Sequence, residues 1–296
     1  MSGESIAHKE DRLAGQGAIL LCAILWSTSG LFIKLVDWNP LVISGSRSIL
    51  AIIVLLALRR LSSGRKSGAH ITLKEIPALA ACGLCYAATM LFFVTANKLT
   101  ASANVILLQY TAPVWAALLA WLFLKERPRW ENWCALVLVS LGMFLVFSNG
   151  LASGSMTGNI FAVISGIAFG ANSVVLRARK DGSPADILIF SHIICAAISI
   201  PFFFLYPPTL NAHNILSIAF MGIFQIGAAS ALFAYGIKRI PVVQAMLTSA
   251  VEPVLNPLWV LLVTGERPSP SVFAGGGIIL AAVIFSSTLS ALRRRS

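Results

Sequence analysis

Apolar residues run through this chain in long unbroken stretches, and polar residues are confined to the short joints between them. A helix needs roughly 20 apolar residues to cross the hydrocarbon core of a bilayer. Ten runs approach that length: Leu13–Val36, Pro40–Leu58, Ile76–Ala96, Ser102–Leu124, Trp130–Phe147, Thr157–Leu176, Ala185–Tyr206, Ile215–Gly236, Val242–Thr264 and Val272–Leu289. The joints are polar or rich in Gly and Pro, as at Asn149-Gly150 and Pro207-Pro208. The pattern predicts an all-α polytopic membrane protein with ten transmembrane helices. The first run is too long for the apolar core of a secretory signal, so it reads as helix one.

The polar positions also repeat. Lys125-Glu126-Arg127-Pro128 and Gly265-Glu266-Arg267-Pro268 lie 140 residues apart, and each closes a long apolar run. Pro113 and Pro253 share that spacing, as do Lys98 with Lys238 and Leu107 with Leu247. Trp26-Ser27-Thr28-Ser29 matches Phe169-Gly170-Ala171-Asn172, Lys34 matches Arg177, and Arg47 of helix two falls opposite His192 of helix seven. The chain therefore divides into two copies of one unit, 13–148 and 157–290, with five predicted helices each. Five is odd, so the second copy is expected to enter the membrane from the other side, giving inverted repeats. Such repeats build many secondary carriers, which open a central cavity to each side in turn.

Composition agrees with lipid as solvent: 57% of the 296 residues are hydrophobic and 11% charged. A soluble domain carries about 25% charged residues. The net charge of +11 invites a nucleic-acid reading, but its placement argues against one. With the N-terminus in the cytoplasm, only Lys34, Lys98 and Arg267 of the 22 basic residues fall outside, and Arg47 lies within a helix. That asymmetry is the positive-inside rule. It also returns Arg293–Arg295 to the cytoplasm after ten crossings.

Ionisable groups inside an apolar helix are costly and are functional candidates by default. Glu252 is the one acid placed mid-membrane, followed by Pro253, Asn256 and Pro257. Prolines remove backbone donors and loosen a helix. Glu252 could hold a substrate ammonium or a proton, or it could pair with Arg47 or His192. Arg47 could take a substrate carboxylate bidentately, or tether helices. His192 could respond to protons, or sit as a hydrogen-bonded structural group. Trp26, Ser27, Tyr86, Tyr110 and Phe169 complete the candidate substrate site, because ring faces can hold organic cations. Trp121 and Trp130 read as interface anchors. Pro113, Pro253, Pro257, Glu126 and Glu266 are assigned structural or gating roles, the two acids pairing with an adjacent Arg or capping the next helix. Gly166 and Gly170 form a small-xxx-small stretch suited to close helix packing.

Several function classes drop out. No Walker loop appears, so ATP is not the direct energy source. No catalytic motif of the H-E-x-x-H or G-x-S-x-G kind occurs, so an enzyme is not expected. Cys82 and Cys85 form a C-x-x-C without a second ligand pair in sequence, so no metal or other cofactor is predicted.

The Trp26-Ser27-Thr28-Ser29 turn, the Pro113 run ending in Leu124-Lys125-Glu126-Arg127-Pro128, and Glu252-Pro253 followed by Gly265-Glu266-Arg267-Pro268 resemble the drug/metabolite transporter superfamily, and within it the EamA-type ten-helix exporters. The resemblance implies a carrier in a bacterial inner membrane that exports amino acids or related small metabolites by alternating access. A passive channel or facilitator, and a multidrug carrier of organic cations, stay open as alternatives. One departure is Lys125, which stands where the second copy has Gly265. The partners expected are a small-molecule substrate and the lipid bilayer, without nucleic acid. The duplicated unit is expected to act as a monomer, with a dimer as the alternative, and both termini are expected in the cytoplasm.

Overall fold

The computed structural model describes residues 3–62, 76–100, 102–147, 155–179, 184–255, 259, 262 and 270–292. Among them the regular structure is helical: α1 Gly3–Trp26, α2 Ser29–Leu35, α3 Pro40–Ser62, α4 Ile76–Leu99, α5 Ser102–Gln109, α6 Ala112–Leu119, α7 Trp130–Phe147, α8 Met156–Ala178, α9 Pro184–Leu205, α10 Ala212–Phe220, α11 Ala229–Arg239, α12 Val242–Ser249 and α13 Pro270–Leu292. Seven helical stretches are long and apolar enough to cross a membrane, and Trp130–Leu145, Val242–Leu255 and Phe273–Ser286 are shorter apolar helices. The chain is an integral membrane protein.

Runs that the pattern reads as continuous helices are interrupted in the structure. The first breaks at Ser27–Thr28, where both hydroxyls turn back onto their own backbone, Ser27 donating to the Ile24 carbonyl at 2.6 Å and Thr28 to that of Leu25 at 2.9 Å. Such back-bonding offers the chain an alternative to the helical ladder. The fourth breaks at Tyr110–Thr111, just before Pro113. Its end widens into a π turn, Ala120–Leu124, closed by Lys125 at φ 57°. That left-handed conformation is the one glycine adopts freely. The run before α11 widens likewise over Met221–Ala228. The ninth breaks at Ala250–Val251, before Pro253.

Helices that the sequence matches to one another make matching contacts. α1 lies against α11, and its counterpart α8 lies against α4. α3 packs on the π stretch Met221–Ala228 as α9 packs on α4. α3 also meets α9, and α7 meets α13, so these pairs join equivalent members of the two halves. Backbones approach closely where glycine allows it. A side chain at Gly166 would stand 2.8 Å from the Gln109 carbonyl, and one at Gly170 2.9 Å from that of Ala112. The stretch Gly166–Gly170 thus seats α8 directly on the break between α5 and α6. Lipid-facing positions are apolar, with Leu122, Phe123, Phe204 and Leu262 well exposed, and Trp121 and Trp130 half-exposed.

Candidate functional site

The helix breaks converge on one central cavity. Its wall includes Trp26 and Ser29 from the first break, Arg47 from α3, Thr89, Met90 and Phe93 from α4, Gln109, Tyr110, Ala112 and Pro113 from the second break, Phe169 from α8, Ile226, and Met246, Ser249 and Glu252 from the third. The free space at its heart is about 50 Å³, enough for a few waters.

One cation and one acid share this wall without forming an ion pair among the described residues. Arg47 is buried, and its Nη2 donates to Gln225 Oε1 at 2.8 Å. Gln225 in turn donates to Thr28 Oγ1 at 3.1 Å, tying the guanidinium to the first break. The other two guanidinium nitrogens, Nε and Nη1, are buried without a partner among the described residues. Leaving buried donors unmade costs about 1–3 kcal/mol each, so the fold holds Arg47 at a cost that an incoming acceptor would relieve.

Glu252 is held by Tyr110 rather than by Arg47 or His192. The Tyr110 hydroxyl lies 2.8 Å from Glu252 Oε2 and 2.6 Å from the Ser249 carbonyl. The geometry has a backbone cause. In an α-helix the Ser249 carbonyl would accept from the amide of residue 253, which is proline and has none. Tyr110 supplies the missing donor across the cavity. Its single hydrogen is shared between that carbonyl and the carboxyl, so the state of Glu252 bears on the third break.

The aromatic part of the wall is a cluster. Trp26 meets Phe169 edge-on at 5.5 Å between centroids and Phe233 at 5.4 Å. Residues 26 and 169, matched by the repeat, thus meet at the pocket.

Other predicted site residues fall elsewhere. Tyr86 and His192 are buried beside the cavity rather than in its wall, as a pair with Tyr86 Oη 3.1 Å from His192 Nε2 and Ser230 Oγ 3.3 Å from the same nitrogen. Ser27 lies behind the wall, accepting from the Trp259 indole at 2.6 Å. Glu126 pairs with neither neighbouring arginine; it meets Arg177 of α8 at 3.0 Å. Pro113 and Pro253 mark breaks, whereas Pro257 and Glu266 lie outside the described residues. Cys82 donates to Asn172 Oδ1 at 3.2 Å, an inter-helix contact. Sequence reasoning missed Gln225, whose signal was an amide side chain inside an otherwise apolar run.

The model of the EamA-like transporter family matches residues 13–148 and again 156–288. The chain belongs to this family. An uncharacterized transporter of Archaeoglobus fulgidus is 26% identical over 274 residues, covering 92% of this chain and 96% of that protein. The uncharacterized transporter YwfM of Bacillus subtilis is 25% identical over 285 residues, covering 91% and 92%. A solved crystal structure shares the fold with a TM-score of 0.78 at 21% identity, covering 97% of this chain and 99% of the other. EamA membership makes the protein a membrane transporter, and it makes the central cavity the place to look for cargo.

Proposed function

We propose that this EamA transporter is a secondary carrier exporting amino acids or closely related small carboxylate-bearing amines across a bacterial inner membrane, with both termini cytoplasmic. The observation that carries the reading is Arg47: a buried guanidinium in the cavity wall with Nε and Nη1 unbonded. Either nitrogen, together with an N–H of Nη2 beside it, makes a planar fork that suits a carboxylate bidentately. Glu252, in the same wall and held apart by Tyr110, is the acceptor for the cargo's ammonium or for a coupled proton. A zwitterion satisfies both groups at once, whereas a simple cation leaves Arg47 unmet.

Alternating access is supported by the exchangeable contacts of the two halves. α1 on α11 and α8 on α4 are matching pairs, the kind of contact that inverted repeats exchange. Counterflow tests the reading: reconstituted protein preloaded with unlabelled amino acid should accelerate entry of labelled amino acid, and Arg47→Met should abolish the effect. A panel of amino acids that produces no counterflow sinks the cargo assignment. A second reading, efflux of organic cations, draws on the Trp26–Phe169 ring pair beside Glu252. It predicts that a quaternary ammonium compound competes and that Arg47→Met is tolerated.

A further inference from the structure

A second cavity, of about 230 Å³, lies at the end of the molecule where four apolar segments give way to polar sequence. Its wall carries a cluster of basic side chains. Arg12 comes from α1, Arg127 and Arg129 from the joint after the π turn, Arg177 from the end of α8 and Gln244 from the start of α12, with Glu126 as the lone lining acid. These groups come from segments far apart in sequence, so the fold gathers the guanidiniums into one place.

Basic side chains outnumber acidic ones among the described lining residues. Glu126 is engaged by Arg177 at 3.0 Å, and Arg177 also donates to the Ile237 and Lys238 carbonyls. Arg129 has Glu131 no nearer than 3.8 Å. Arg12 donates to Gln244 Oε1 at 3.0 Å. Among the described lining residues, four guanidiniums stand around one carboxylate, which Arg177 engages. Planar guanidinium forks match a tetrahedral oxyanion, and arginine is favoured wherever phosphate is bound. The depth fits too, because the ends of apolar segments are the level of lipid phosphates.

We propose that this cavity is a phosphate-binding site, distinct from the cargo cavity, which takes the phosphate of an anionic phospholipid headgroup or free phosphate. Its occupancy neutralises the cluster and braces α1, α8 and α12 at this end. The inference rests on the basic cavity alone and stands whether or not amino acids are the cargo.

Native mass spectrometry of the delipidated full-length protein tests it, with phosphatidylglycerol, phosphatidylethanolamine and inorganic phosphate as separate probes. Arg127→Gln/Arg129→Gln removes two exposed members of the cluster. Arg59→Gln/Arg60→Gln removes the same charge from the end of α3 as a control. Each surface arginine contributes enough to anionic-lipid binding that losing two weakens it about 30-fold. The expected result is phosphatidylglycerol retained over phosphatidylethanolamine by wild type and by the control, and weakened about 30-fold in the pocket variant. The same pattern with inorganic phosphate instead assigns the site to a soluble ligand. Equal weakening in both variants would mean general surface charge and overturns the proposal, as does failure of wild type to retain either probe.

Discussion

Arg47→Met separates a residue kept for cargo from one kept for stability. In the structure, Nε and Nη1 of Arg47 are buried and unbonded, and Nη2 donates to Gln225. Removing the two unmade donors returns about 2–6 kcal/mol at about 1–3 each. Losing the charged bond costs about 1.5–3 kcal/mol, and the Gln225 oxygen left behind costs about 1–3 more. These nearly cancel. Burial of the charge itself adds several kcal/mol to what methionine relieves, so replacement by an apolar side chain of similar size tends to be neutral or stabilising. The expected Tm of Arg47→Met in nanodiscs is therefore equal to wild type or higher, and Arg47→Met/Gln225→Leu is higher still. Transport goes the other way. Two charge-assisted bonds to a carboxylate, at the low end about 3 kcal/mol together, make kcat/KM for an amino acid fall by at least about 100-fold. If Arg47 were a helix tether, its loss would cost about 3–5 kcal/mol, or a Tm drop of roughly 6 °C or more. Such a drop, with transport lowered only in step with folded protein, would refute the reasoning.

Other outcomes follow from the same contacts. Tyr110→Phe leaves the Ser249 carbonyl without its donor and should destabilise by about 1–3 kcal/mol; adding Pro253→Ala restores a backbone donor and should recover most of that loss in thermal unfolding. Gly170→Ala places a methyl 2.9 Å from the Ala112 carbonyl, a backbone atom that no rotamer change moves, and should cost about 1–3 kcal/mol with reduced transport at equal expression. Lys125→Gly removes a left-handed lysine and should stabilise by about 1 kcal/mol. If Glu252 carries the coupled proton, Glu252→Gln keeps uptake in reconstituted vesicles but loses its response to an imposed pH gradient.

The sequence was most legible where one physical force decides the outcome. Long apolar runs announce membrane helices because lipid leaves the backbone no alternative. Expense also reads well: Arg47 and Glu252 stand out as charges in apolar surroundings, and both line the cavity. Partnership did not read. Pairing of Glu252 with Arg47 or His192 was open from charge alone, and the structure gives Glu252 to Tyr110 because Pro253 leaves a carbonyl nearby in want of a donor. His192 matches Arg47 in the repeat, yet it turns to Tyr86 and Ser230, outside the wall. Rotation about a helix axis decides which side of the wall a residue faces, and apolar periodicity is weak evidence for rotation when lipid and core are both apolar. Glu126 reached Arg177 across the bundle, a contact that sequence adjacency to Arg127 concealed.

The most direct test of the central claim is counterflow in proteoliposomes with three probes: a zwitterionic amino acid, its decarboxylated amine and its deaminated acid. A carrier that reads both charges accelerates the zwitterion and neither of the other two, and Arg47→Met removes that acceleration. Acceleration of the amine as strong as that of the zwitterion, unchanged in Arg47→Met, would contradict the account and make the cavity a cation site.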